Sequence, residues 1–82
     1  MGIQSKTLEA AFGERLRTKR LEHQLSQEEL AHQSGLHRTY ISQIERGLKS
    51  PSLKTIYALA TVLGEDAGVL VAALTKKGER SK

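Results

Sequence analysis

The stretch HRTYISQIERG, residues 37–47, concentrates the side chains that could do chemistry. Wound as a helix at roughly 100° per residue, it turns Ile41 and Ile44 to one face, with Leu36 leading into it. Thr39, Ser42, Gln43 and Arg46 fall opposite, and Arg38 and Tyr40 lie on the flanks near the start. The outward face thus carries hydroxyls, an amide and guanidiniums but no carboxylate, whereas an ordinary solvated face mixes both charge signs. Arg, Thr, Ser and Gln are the side chains that read base edges in a major groove. Glu45, the one acid of the stretch, lies beside the inward stripe and needs a partner.

Such a face is useful only if something holds it out. Just upstream, Ser26 can cap a helix, with Glu29 as its reciprocal capping-box partner. Leu30 and Ala31 then turn inward, and Gly35 supplies the positive φ at which the helix stops. A second helix follows from about His37 to Arg46 and ends at Gly47. Two short helices joined by a glycine turn have the spacing of a helix-turn-helix.

Around this pair the pattern predicts three more helices. The first spans about Thr7 to His23, with Leu8, Phe12 and Leu16 as its buried stripe and Glu14, Arg15, Lys19 and Glu22 toward solvent. Gly13 in its middle implies close packing. Leu48–Ser50 form a loop. Pro51 ends the preceding chain and Ser52 caps a helix over Leu53–Leu63, whose Leu53, Ile56, Tyr57, Ala60 and Leu63 make one apolar face. Asp66 caps a fifth helix, Ala67–Thr75, that is apolar nearly all round. A helix of that kind is buried on more than one side. Leu70 and Leu74 suit the monomer core, which leaves Val69, Val71, Ala72 and Ala73 either for a second subunit or as tolerated surface.

Composition fits a single soluble all-α domain. Of 82 residues, 38% are hydrophobic and 27% charged, enough apolar matter for a modest core. Residues 1–6 read as a flexible start, 7–75 as the domain and 76–82 as a basic tail. The formal net charge is +4, and the tail supplies most of it. Clustering is therefore the better guide to a polyanionic partner: Arg15, Arg17, Lys19 and Arg20 in the first helix, then Arg38, Arg46, Lys49 and Lys54. With no cysteine, disulfides and thiolate metal sites are excluded. His23, His32 and His37 lack metal-ligand spacing, and no serine or threonine has an adjacent base with an orienting acid. Neither a signal-peptide core nor a membrane-length apolar run is present. The expectation is a cytoplasmic, non-enzymatic protein without cofactor, metal, membrane or small-molecule ligand.

In order and spacing, FGERLRTKR (12–20), SQEELA (26–31), the Gly35 turn, YISQIERG (40–47) and PSLKTIYALATVLG (51–64) resemble the phage-repressor/Cro, or XRE, family of helix-turn-helix regulators. Within it, HRTYISQIERG is similar to the controller proteins of restriction-modification systems. The resemblance covers about three-quarters of the chain. It implies a five-helix lambda-repressor-like fold, a double-stranded DNA partner, a homodimer on an inverted repeat, and an ion pair between Arg20 and Glu45. The base readers would be Arg38, Thr39 and Gln43, with Ser42 and His37 beside them. Gln27 matches the family's phosphate-clamping glutamine, and Tyr40, Arg46, Lys49, Ser50 and Arg17 would hold the DNA backbone. One departure is His37, which stands where the family prefers Ser, Thr or Asp as helix cap. Another use of such a domain is antitoxin-like, its apolar fifth helix binding a foreign protein.

Overall fold

This computed structural model describes residues 7–72. Thr7 opens the first helix, its hydroxyl accepting from the Ala10 N–H at 3.0 Å. That helix, α1, spans Leu8–Glu22 and buries Phe12, Gly13, Leu16 and Arg20. Leu8 was expected in this stripe but is 63% exposed, because in the first turn of the helix it projects past the end of the core. Gly13 meets the expectation of close packing. A methyl added there would overlap the carbonyl oxygens of Ile44 and Glu45, the latter at 2.7 Å.

The capping box forms as the sequence predicts. Ser26 Oγ accepts from the Glu29 N–H at 2.9 Å and Glu29 Oε1 accepts from the Ser26 N–H at 2.7 Å, opening α2 (Gln27–Ser34). Gly35 closes it at φ 75°, in the left-handed region that glycine adopts without a Cβ penalty. The next helix, α3 (Arg38–Glu45), starts at a His37 cap that makes no side-chain hydrogen bond. Imidazole fails here as a cap, as its departure from the family pattern implied.

Ser52 caps α4 (Leu53–Leu63), accepting from the Thr55 N–H at 3.1 Å. Its buried face is turned from the one expected. Thr55, Leu59, Ala60 and Leu63 are buried and Ile56 is partly so, whereas Leu53 is 85% and Tyr57 71% exposed. The apolar positions of α4 satisfy helical spacing in two overlapping registers, and packing against α2 and α5 selects the register centred on Leu59 and Leu63. The last described helix, α5, is Ala67–Val71. Asp66 occupies its cap position without a side-chain cap bond. Residues 73–75, expected to continue the helix, lie outside the described residues, and Ala73 and Leu74 with them.

All elements among the described residues are helical. α3 is held between α1 and α2, and α4 and α5 close the other side. Leu16, Leu30, Ile41, Ile44, Leu59, Leu63 and Leu70 are fully buried at the centre. The inward face of α3 is therefore its isoleucines, as its periodicity requires, and its opposite face is left outward. None of the described helices is long and apolar enough to cross a membrane.

Candidate nucleic-acid interface

Two isoleucines set the orientation of α3, and a carboxylate fixes its far end. Glu45 is the last residue of the helix, and its side chain is only 3% exposed. Arg20 reaches it from α1 with two parallel bonds, Nε to Oε2 at 2.7 Å and Nη2 to Oε1 at 3.0 Å. Its Nη1 donates to the Leu25 carbonyl at 2.8 Å. A guanidinium matches a carboxylate in this side-on geometry, which a lysine ammonium cannot reproduce. The pair implied by the resemblance is present, and it ties α1 to α3 at the end opposite Arg38 and Thr39.

From this anchored frame the first turn of α3 presents Arg38 and Thr39 to solvent, with His37 exposed before them. Ser42 and Gln43 are half-buried on the next turn, and Arg46 is exposed just past the helix. Glu45 is the only acid of α3, and it is turned inside. The outward surface is thus free of negative charge. Lys49 and Ser50 are exposed on the loop beyond. That loop passes close to α1, since a methyl on Gly47 would come within 3.0 Å of the Ala10 Cα. Arg17 is exposed on α1, one step around that helix from Gly13 and Arg20.

The basic cluster expected on α1 is largely spent inside the molecule. Arg15 Nε donates to the Val69 carbonyl at 3.2 Å, Lys19 pairs with Glu22 at 3.3 Å and Glu65 at 3.4 Å, and Arg20 is buried. Arg17 is the one that remains outward. Spacing alone could not separate these four: Lys19 has Glu22 three residues on, but the partners that draw Arg15 and Arg20 inward lie 54 and 25 residues away in the chain.

Two site residues have partners that sequence reasoning missed. Gln27, at the first position of α2, donates its Nε2 to Glu45 Oε1 at 3.0 Å. Tyr40 is half-buried, its hydroxyl 3.4 Å from Thr55 Oγ1, which in turn accepts from Ser52 Oγ at 3.0 Å. Hydroxyls of α3 and α4 therefore meet at the entry to both helices. A Tyr beside the inward stripe of one helix and an S-x-x-T cap on the next were the available signals. His23 lies 4.0 Å from Glu65, and no group of three or more potential metal ligands occurs among the described residues.

A capped helix, a left-handed glycine turn and a second helix whose acid-free face points outward define a helix-turn-helix domain. Comparison with known proteins agrees. The sequence model of the helix-turn-helix family matches residues 16–70. Control protein C.BamHI of Bacillus amyloliquefaciens is 48% identical over 54 residues, 65% of this chain and 67% of that protein. Control protein C.SmaI of Serratia marcescens is 39% identical over 71 residues, 87% of this chain and 81% of that one. The crystal structure of the restriction-modification controller C.AhdI from Aeromonas hydrophila superposes with a TM-score of 0.74 at 45% identity, covering 76% of this chain and 94% of that one. This chain belongs to the XRE-type helix-turn-helix family of DNA-binding transcriptional regulators.

Proposed function

We infer that the chain is a sequence-specific regulator binding an inverted-repeat operator as a homodimer, one α3 in each of two successive major grooves. The observation that carries this is the exposed, acid-free first turn of α3 held by the buried Arg20–Glu45 pair. A major groove admits one helix, and the N-terminal residues of the second motif helix meet the base edges. Arg38 would address a guanine edge and Thr39 a thymine methyl, with Gln43 one turn on and Ser42 and His37 at the margins. Gln27, Arg17, Tyr40, Arg46, Lys49 and Ser50 would contact the backbone and so set register. Tyr40 can do so while keeping its Thr55 contact, since a phenol that accepts from Thr55 still has its own O–H to donate. The names of the related control proteins favour an autoregulating controller, whose response follows its own concentration through dimerisation.

For the dimer, the residues expected on α5 divide. Val69 is half-buried, Val71 packs against the core and Ala72 is exposed, while Ala73 lies outside the described residues. Among the described residues the most exposed large apolar side chains are Leu53 and Tyr57, four apart on α4, followed by Leu8, Leu48 and Leu21. Beside α4 runs a recess lined by Leu8, Glu9, Phe12, Ser50, Pro51 and Ile56. A self-complementary patch of this kind suits a two-fold contact, and we assign Leu53 and Tyr57 to the interface together with the outer edge of α5. The same face would serve a foreign protein in the antitoxin-like alternative.

Selection of bound duplexes from a random pool at near-physiological salt tests the reading. Enrichment of an inverted repeat is expected, and binding without enrichment would reduce the protein to a backbone binder. If no DNA is retained and the purified chain stays monomeric, the protein-partner alternative takes its place.

A further inference from the structure

Glu45 accepts three hydrogen bonds, two from Arg20 and one from the Gln27 amide. A carboxylate in an ion pair only accepts, so Gln27 must present nitrogen to it. One N–H of that amide is then committed inward, and the second points away from Glu45 on the same planar group. Gln27 stands at the first position of α2, where the Glu29 N–H is taken by the Ser26 hydroxyl and the backbone N–H groups of Gln27 and Glu28 have no intrahelical acceptor.

We propose that Glu45 is a positioning residue for DNA-backbone contact: it locks the Gln27 amide so that its free N–H, beside the opening N–H groups of α2, meets a phosphate oxygen. This rests on the DNA-binding reading above. Arg20 has a second part in it. A carboxylate one amide away from a phosphate would repel it, and the bidentate guanidinium cancels that charge where it is buried. The buried pair thereby does more than pin α3. It transmits the placement of α3 to the phosphate clamp on α2, so that base-reading helix and clamp share one reference point, the Glu45 carboxylate. An unheld glutamine would sample several rotamers and lose side-chain entropy on binding; a locked one has lost it already.

The test is a double-mutant cycle on a duplex recovered from the random-pool selection, with Gln27→Ala, Glu45→Ala and the double variant, folding of each checked by circular dichroism. Gln27→Ala is expected to weaken binding about tenfold, the scale of a hydrogen bond to a charged group, with the dependence of log affinity on log salt unchanged, since a neutral amide releases no counterion. Glu45→Ala should weaken binding as well, and the double variant should bind like the weaker single. Fully additive losses would overturn the proposal. Should Glu45→Ala not fold, the side-chain amide of Gln27 in the unmodified protein decides by NMR. One slowly exchanging, shifted proton beside one ordinary proton is expected, and two solvent-like protons would overturn it. If the unmodified protein selects no duplex, the DNA-binding reading fails, and that result is distinct from additive losses in a protein that binds.

Discussion

Arg20 and Glu45, 25 residues apart in sequence, meet side-on with both nitrogen–oxygen distances at or below 3.0 Å and both side chains under 10% exposed. Removing one partner of so buried a pair strands the other charge, which costs about 3–5 kcal/mol. Arg20→Ala is therefore expected to lose that much stability, and Arg20→Lys most of it, since lysine offers no side-on fork for Glu45 together with a third donor for the Leu25 carbonyl. Urea unfolding of the variants measures it. A loss under 1 kcal/mol in Arg20→Ala would show the pair to be solvated in solution.

Gly13 carries the crossing of α1 over the end of α3. Glycine to alanine in a helix ordinarily gains about 1 kcal/mol, but here the new methyl would meet backbone oxygens that cannot rotate away. Overpacking of this kind costs about 1–3 kcal/mol, and the backbone acceptors place it at the upper end, so Gly13→Ala should be net destabilising by about 1–2 kcal/mol. Thermal melts give the sign directly.

Two local conflicts can be relieved. Gln24 sits at φ 58°, a left-handed conformation that costs a residue with a Cβ about 1–2 kcal/mol. After allowing for the entropy of a more flexible unfolded chain, Gln24→Gly is expected to stabilise by about 0.5–1 kcal/mol. His37→Ser would supply the missing cap of α3, worth about 1 kcal/mol. Raised denaturation midpoints with unchanged slopes are the expected outcome; a lower midpoint for His37→Ser would mean that the imidazole has another structural part.

Reader and clamp residues should separate by their signatures. Arg38→Ala and Thr39→Ala are expected to relax preference at particular operator positions by about 1–3 kcal/mol. Lys49→Ala should weaken all duplexes alike and reduce the salt slope by about 0.9. Titrations against the selected duplex and single-base variants, at two or more salt concentrations, distinguish these. An Arg38→Ala protein with unchanged preferences would remove Arg38 from the readers.

Leu53→Glu with Tyr57→Glu places like charges across the proposed two-fold contact. Sedimentation should show a monomer where the unmodified protein is dimeric, with circular dichroism unchanged because both side chains are exposed. A dimer that persists would move the interface to the outer edge of α5.

The sequence made the motif legible because its signals are local. Ser26 with Glu29, the glycines at 35, 47 and 64, and the isoleucine spacing of α3 each act within a turn or two. The faces of α1 and α4 were less legible. Leu53 and Tyr57 obey the same helical spacing as the buried residues of α4, and only the arrival of α2 and α5 decides which register is covered. Likewise nothing near Arg15 shows that it is engaged, since its partner is on α5, and Glu22 accounts for only one of the two partners of Lys19, the other coming from the turn before α5. The role proposed for Gln27 comes from the resemblance, whereas its tether to Glu45 depends on how two helices meet.

The bond from Arg15 to Val69 ends on a carbonyl oxygen, which every amino acid possesses. Residue 69 can therefore change identity without releasing the last helix from the first. The fold thus separates anchorage from surface chemistry at its final element, leaving the outer positions of α5 free to diverge. Regulators of this design, descended from one ancestor and sharing a cell, could in this way drift toward pairing only with their own kind while keeping the reading head intact.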